Sequence, residues 1–399
     1  MTPPDEANGF HVATPEEIRA GRVADVYFER ARQILVDEGA NPQVVAEVRA
    51  SALPQGWPWG VLAGVEEALA LLEGRAIDVL AVREGSLFFA EEPVMVVTGP
   101  YLEFGSLETA LLGLLCQATG VATVAARCKL AAAGRPVYSF GARRMHPAIA
   151  PMIERAAYVG GCDGVAGVKS GELIGSDPVG TMAHALILIL GEERAWRAFD
   201  RVIDRRVPRV ALIDTFQDEK FGAVAAARIL GERLAAVRVD TPGSRRGDLP
   251  AILREVRWEL DQRGFQRVNL FVSGGIDEEA ILELNPWADA YGVGTRISNA
   301  PVVDLSLDLV EVEGQPRAKR GKLSGRKALW RCPECGNRGI SPWARRSGHC
   351  PQCGHRLRSM LEPAMAQGKV KHRAAPVREL RERALREVGG APSPFAEHA

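Results

Sequence analysis

Two short cysteine pairs carry the plainest chemical signal in the chain: CPECG at 332–336 and CPQCG at 350–354. A two-residue gap lets one tight turn present two thiolates to one ion, and zinc takes four such ligands in a tetrahedron. Cys332, Cys335, Cys350 and Cys353 therefore read as a zinc site, with 14 residues between Cys335 and Cys350. Proline stiffens each turn, and glycine after the second cysteine permits a left-handed backbone. Four thiolates leave no open position, so the ion is structural rather than catalytic. His349 and His355 flank the second knuckle and read as bystanders. Cys116, Cys128 and Cys162 read as buried small hydrophobes.

A second set of residues gathers at the ends of short apolar runs. SGGID (273–277) and GVGT (292–295) follow two such runs. Gly274, Gly275, Gly292, Gly294 and Thr295 would let backbone N–H groups approach a phosphate unobstructed. LID and RVD place Asp214 and Asp240 at two more run ends, where a carboxylate can hold ribose hydroxyls or magnesium, or merely cap the next helix. Arg238, inside an apolar run, needs an anionic partner, either a phosphate or a neighbouring carboxylate. FGARR (140–144) offers Phe140 as a stacking face and Arg143 or Arg144 for a carboxylate or diphosphate, or for ordinary surface ion pairs. His184 opens an apolar helical stretch after a run of glycines. Read alone, it is a hydrogen-bonded core histidine.

The elements that must bring these residues together alternate. PVYSFG, RVALID, AAVRVD, RVNLFVSGG and DAYGVGT are near-continuous apolar runs separated by amphipathic stretches, as expected of parallel strands buried on both faces. Ligands of such folds bind at the carboxyl ends of the strands. The expected fold is therefore an irregular α/β barrel, with the site at that end. Before it, ATPEEIRAGRVADVYFERARQILVDEGA reads as a helix after a Thr14 cap, with Pro15 first and Glu17 placed for a capping box. SLFFAEEPVMVVTGPY reads as two strands broken at Pro93, and LETALLGLLCQATGVATVAARCKLAAAG as a helix ending at Gly134. The expected division is an α/β sandwich domain over 1–120, the barrel over 121–300, a return segment over 301–330, the four-cysteine module over 331–360 and a polar, helical tail over 361–399.

Composition narrows the class. The 399 residues are 46% hydrophobic, and 50 basic side chains balance 50 acidic ones. A neutral chain gives no general reason to expect nucleic acid or a membrane surface as partner. No apolar run approaches the roughly 20 residues that span a bilayer. MTPPDEANGF does not read as a secretory signal. An odd cysteine number with four clustered points to a reducing compartment, here the cytoplasm.

Taken together, EEPVMVVTGPYLEF…LET, YSFGARRMHP, GGCDGVAG, GTMAHAL, LIDTFQDE, RVD, SGGID and GVGT make the chain resemble the nicotinate phosphoribosyltransferases, in particular a shorter form with a C-terminal zinc-knuckle module. The resemblance runs from ADVYF to the cysteine segment. It implies transfer of a 5-phosphoribosyl group from phosphoribosyl diphosphate to nicotinate, with magnesium, coupled to ATP, by a homodimer with shared sites or a higher oligomer built on it. It implies that Tyr27 reaches the partner's site and stacks on the pyridine ring opposite Phe140, with Arg143 near the base and Asp163 beside the ring. Asp214, Arg238 and Asp240 would hold ribose and diphosphate, and the glycines with Thr295 the 5-phosphate. His184 would be the histidine that many members phosphorylate with ATP.

The chain departs from that pattern at three places. Ala185 follows the histidine where Ser or Glu is common; Asp240-Thr241-Pro242-Gly243 replaces Asp-Ser-Gly-Asp; and Phe28 replaces a lysine after the tyrosine. Three other readings stand beside this one. Quinolinate as substrate calls for a denser cluster of cations than FGARR. Nicotinamide fits an amide-accepting Asp163. Zinc-ribbon binding of nucleic acid draws on RAKRGKLSGRK (317–327), with six basic residues in eleven but no interleaved aromatics.

Overall fold

The computed structural model describes residues 9–245, 247–345, 348–371 and 375–395. Residues 1–8, where the sequence shows no secretory pattern, lie outside the described residues, as do 372–374 and 396–399 of the polar tail. The chain divides into two compact units. One comprises Met1–Gly120, Pro301–Arg383 and Pro392–Ala399; the other comprises Val121–Ala300 and Ala384–Ala391.

The first unit is built on a seven-stranded antiparallel sheet. Its order is Gln315–Pro316, Leu305–Val312, Gln43–Ala50, Pro93–Pro100, Asp78–Ala81, Glu362–Ala366, Lys369–Val370. Strands that follow 300 thus flank strands that precede 100. The central strands Gln43–Ala50 and Pro93–Pro100 are buried along nearly their whole length, which their valine-rich runs allow. A smaller three-stranded sheet, Arg338–Pro342, Lys327–Arg331 and Arg358–Ser359, frames the cysteine segment.

The stretch read as one N-terminal helix is two. Thr14 caps Pro15–Arg19 with the full capping box to Glu17, and a second helix runs Val26–Asp37. Gly21, at φ +75°, turns the chain between them, a conformation that favours glycine. The helix Glu108–Ala131 forms as expected. One correction applies to the reading of apolar runs: with the turns before it, this helix is long and apolar enough to cross a membrane by composition. Most of its apolar window is buried inside the protein, as befits a core helix.

The second unit carries one six-stranded sheet, all parallel. Its order is Gly164–Val165, Val137–Ser139, Ala290–Val293, Asn269–Ser273, Leu234–Val239, Arg209–Leu212. Five of these are the apolar runs read from the sequence. The sixth, two residues within GGCDGVAG, is too short to show a period. The outer strands are not paired with each other, so the sheet is a half-barrel rather than a closed one. Amphipathic helices Glu192–Val202, Glu219–Leu230 and Leu249–Asp261 intervene between strands. Buried Trp196 fixes the first of them by donating its indole N–H to the Leu212 carbonyl at 3.2 Å.

Helix starts answer a question the sequence leaves open. The caps are Asp218, Asp248 and Asp277, each accepting a backbone N–H of its helix's first turn. Among the described residues, neither Asp214 nor Asp240 accepts an N–H from the first turn of a helix.

Close packing in this unit depends on small residues. A Cβ on Gly160 would sit 2.1 Å from the Ala122 carbonyl oxygen, a backbone atom that cannot step aside. Gly160→Ala is therefore expected to lower stability by about 2 kcal/mol, at the middle of the range for overpacking. Thermal denaturation measures it; an unchanged melting temperature would contradict this packing.

Candidate active site

The strand register fixes which residues meet. Arg238 pairs with Phe271 on the next strand, and Ser273 with Gly292 on the one after. Phe140 extends the ladder of its own strand by donating its N–H to the Val293 carbonyl at 2.8 Å. The carboxyl ends of four strands therefore stop at a common level. There they open onto a pocket of about 310 Å³ lined by Phe140, Arg143, Arg144, Arg238, Asp240 and the two glycine loops.

The loops have the backbone the sequence reading asked of them. Gly274 and Gly275 stand at φ +86° and +70°, where a side chain would be strained. Gly292 must lack a side chain for a second reason: a Cβ there would lie 2.6 Å from the Phe140 ring. Gly294 and Thr295 complete the lining on that side.

Asp240 is the hub. Its carboxylate pairs with the Arg238 guanidinium at 3.0 Å and accepts the Ser273 hydroxyl at 2.7 Å. The imidazole Nε2 of His184 lies 3.4 Å from it. Its backbone N–H donates to Asp214 Oδ2 at 2.7 Å. Arg238 is held from three more directions, by Ser273 Oγ at 2.9 Å, Thr181 Oγ1 at 3.2 Å and the face of Phe140 at 5.3 Å. An arginine locked this way presents its positive charge to the pocket at little further entropic cost.

Asp214 sits one layer deeper. Oδ2 also accepts the Thr241 hydroxyl at 3.1 Å, and the same hydroxyl reaches Glu219. Oδ1 is buried with no partner among the described residues. Burial raises the Asp214 pKa above the usual carboxylate range, although the Asp240 amide, His184 and Thr241 pull it back. A buried carboxylate oxygen left over in this way suits a cation or a hydroxyl.

His184 begins the helix His184–Leu190. Its Nδ1 lies 3.0 Å from the Thr215 hydroxyl, so both ring nitrogens are addressed, one by a hydroxyl and one by a carboxylate. The solitary core histidine of the sequence reading is thus part of the polar cluster, and Asp240 is the carboxylate beside its ring.

One residue implied by the resemblance is not brought to this pocket. Asp163 accepts from the Val137 N–H at 2.8 Å and from Lys129 Nζ at 2.7 Å. That places it at the amino end of the strand Val137–Ser139, whereas the pocket opens past the carboxyl end. Tyr27, which the resemblance assigns to a partner subunit's site, belongs to the other unit, 58% exposed on the helix Val26–Asp37. Conversely, Thr181, Ser273, Thr215, Thr241 and Glu219 take part without having been singled out. Ser273 and Thr241 stand next to residues that were, but hydroxyls are common at strand ends, and nothing in their type distinguishes them.

The four cysteine sulfurs lie within 4.8 Å of one another, with Sγ pairs at 3.4–3.5 Å. A tetrahedral ion at a metal–sulfur distance of about 2.3 Å separates its sulfurs by about 3.8 Å, so the cluster can hold one metal ion. The Asn337 amide donates to Cys350 Sγ at 3.7 Å, a supporting contact of the kind that orients thiolate ligands. Neither His349 nor His355 joins the cluster.

Residues 25–119 match the model of the quinolinate phosphoribosyl transferase N-terminal domain, and residues 121–308 that of its C-terminal domain. A nicotinate phosphoribosyltransferase of Mycobacterium tuberculosis is 32% identical over 376 residues, covering 83% of this chain and 82% of the relative. The crystal structure of a nicotinate-nucleotide pyrophosphorylase from Pyrococcus furiosus superposes with a TM-score of 0.94 at 51% identity, covering 96% of this chain and 98% of that one. Human nicotinic acid phosphoribosyltransferase shares the fold at a TM-score of 0.72 and 21% identity, covering 91% and 93%. A half-barrel whose strand ends gather this pocket, matched across nearly the whole chain by such relatives, leaves one assignment: the chain belongs to the nicotinate phosphoribosyltransferase family.

Proposed function

We infer that the protein is a nicotinate phosphoribosyltransferase that forms nicotinate mononucleotide and diphosphate, a step of NAD biosynthesis. The observation that carries the reading is the convergence of Arg238, Asp240, Phe140, Arg143 and both glycine loops on one pocket. The ring nitrogen of nicotinate attacks C1 of the ribose, and the bond from C1 to the diphosphate oxygen breaks with its electron pair going to diphosphate. That nitrogen carries no proton near neutral pH, so no general base is needed. The pocket's work is positioning and charge stabilisation.

In this reading the glycine loops and Thr295 receive the 5-phosphate through backbone N–H groups. Asp240 accepts from the ribose hydroxyls, with Arg238 facing the anionic diphosphate. Asp214, with its partnerless oxygen, and Asp240 suit magnesium, which when bound neutralises the leaving diphosphate. Arg143 and Arg144 lie exposed at the pocket's rim, where either can grip the nicotinate carboxylate.

Quinolinate is the second reading, because the matched domain models carry that name. It brings a second carboxylate to the same place. The lining residues include no lysine or histidine, and of the three arginines Arg238 faces the diphosphate in this reading, which leaves Arg143 and Arg144 for the ring carboxylates. That supply of cations favours the monocarboxylate.

ATP coupling through His184 is part of the proposal. The ATP γ-phosphoryl group would move to a ring nitrogen, with ADP as leaving group, and water would later release it as phosphate. The Thr215 hydroxyl and Asp240 carboxylate would hold the ring in register for that transfer. The exposed Tyr27 and the outward Leu188 and Ile189 of the helix His184–Leu190 support a homodimer in which Tyr27 reaches its partner's pyridine site. The metal of the cysteine cluster would be structural zinc, and the compartment the cytoplasm, where thiolates stay reduced.

Incubation with phosphoribosyl diphosphate and magnesium is expected to give a mononucleotide from nicotinate, and little from quinolinate or nicotinamide. Preferential turnover of either of the others would replace the reading. His184→Ala should remove the stimulation by ATP while slow ATP-independent synthesis persists; if both rates match the wild type, the phosphohistidine role is wrong. Metal analysis should find one zinc per chain. Stripping it with a chelator should lower the melting temperature, because ligand binding to the folded state alone stabilises it, and a protein free of metal with unaltered melting would refute the zinc site.

A further inference from the structure

We propose that Glu278 is a positioning residue that, with Arg296 and Arg127, fixes the spacing between the two glycine loops and so sets the affinity for the sugar phosphate. The proposal rests on the functional reading above for the identity of that phosphate.

The two loops leave adjacent strands. Ladder pairing between Asn269–Ser273 and Ala290–Val293 extends to Ser273 and Gly292. Beyond that level the paired ladder ends and the chains are glycine-rich. An anion seated between them needs donors from both sides within a few tenths of an ångström of their best positions.

Glu278 lies where such a brace would act. It is the first residue of the helix Glu278–Leu284, three positions after Gly275, and Asp277 caps that helix by accepting from the Ala280 N–H at 2.9 Å. Arg296 is the residue after Thr295, in the single turn Thr295–Ser298 that closes the other loop. The Glu278 carboxylate accepts from Arg296 through Nε at 2.5 Å and a terminal nitrogen at 2.9 Å, a two-pronged pairing. Arg127, on the helix Glu108–Ala131, donates to the same carboxylate at 2.9 Å. The ion pair thus continues, by side chains, the cross-strand tie that the ladder gives up at Gly292.

The electrostatics agree with this placement. Glu278 is fully buried. Burial alone would raise its pKa, but the hydrogen bonds from Arg296 and Arg127 more than offset this and keep it below its usual value, so it stays ionised. A brace needed for stability alone would not have to join the two loops that line the pocket.

The experiment uses the full-length enzyme with Glu278→Gln and Arg296→Lys. The second keeps the charge but replaces a planar fork by a single point donor, and is available if the first does not fold. Asp200→Asn is the control. It breaks a comparably buried pair with Arg209 at 3.2 Å, beside the amino end of the strand Arg209–Leu212 and away from the pocket residues. Steady-state kinetics vary each substrate in turn, and thermal shift with inorganic phosphate measures anion binding without turnover. Both clamp variants are expected to raise KM for phosphoribosyl diphosphate roughly 10-fold or more, with kcat and KM for nicotinate within about threefold. The phosphate concentration for half-maximal thermal protection should rise with that KM. The control should melt lower with its KM values unchanged. If the clamp variants behave like the control, or raise both KM values equally, the positioning role is refuted. Should the wild type make no mononucleotide, the functional reading fails by itself, and the phosphate arm still decides the clamp.

Discussion

The ion pair between Arg238 and Asp240 is the constraint around which the second unit is arranged. Both charges are largely withdrawn from solvent, and a buried guanidinium or carboxylate is tolerable only with full hydrogen bonding. The structure supplies that bonding from the two neighbouring strand ends and the segment before His184: Ser273 bridges the two residues, Thr181 takes a further guanidinium N–H, and Asp214 accepts the Asp240 amide. Removing either partner would leave the other charge uncompensated. The pocket and the sheet beneath it are therefore not separable designs.

That arrangement explains why the glycines sit where they do. Phe140 lies against Gly292, which leaves room for an aromatic ring between neighbouring strand ends. Gly274 and Gly275 turn the chain back over Asp240 in a conformation costly for other residues. Small residues thus serve two purposes at once: they let the backbone bend, and they keep side chains out of the pocket. Behind them, Glu278 pairs with Arg296 and Arg127, and none of the three lines the pocket.

The second half of the chemistry is carried by residues that meet only through folding. His184 stands more than fifty positions from Asp240 in sequence, yet its ring lies beside that carboxylate. Thr215 addresses the opposite ring nitrogen. Asp163 makes the contrary point. It lies in a glycine-rich stretch that follows the family's pattern, but its carboxylate is taken up by Lys129 and a backbone amide at the other end of the strand. Position in a motif does not by itself say which end of a strand a side chain serves.

The sequence determined, by itself, what depends on local spacing. Two Cys-x-x-Cys turns can present four sulfurs to one ion whatever surrounds them, and the apolar runs that become five of the six parallel strands are legible because burial on both faces excludes polar residues. Glycines after those runs announce loops, and Thr14 with Glu17 announces a helix start. The break near Gly21 and the two-residue strand Gly164–Val165 were not legible, since one left-handed residue or two strand residues carry no period. Only the tertiary structure decided that Asp214 and Asp240 do not cap helices, that Asp240 stands beside His184, and that Glu278 joins two loops. Those outcomes depend on strand order and register, which set distances between residues far apart in the chain. Strand order is chosen by the packing of the whole unit, not by the few residues that later share a pocket.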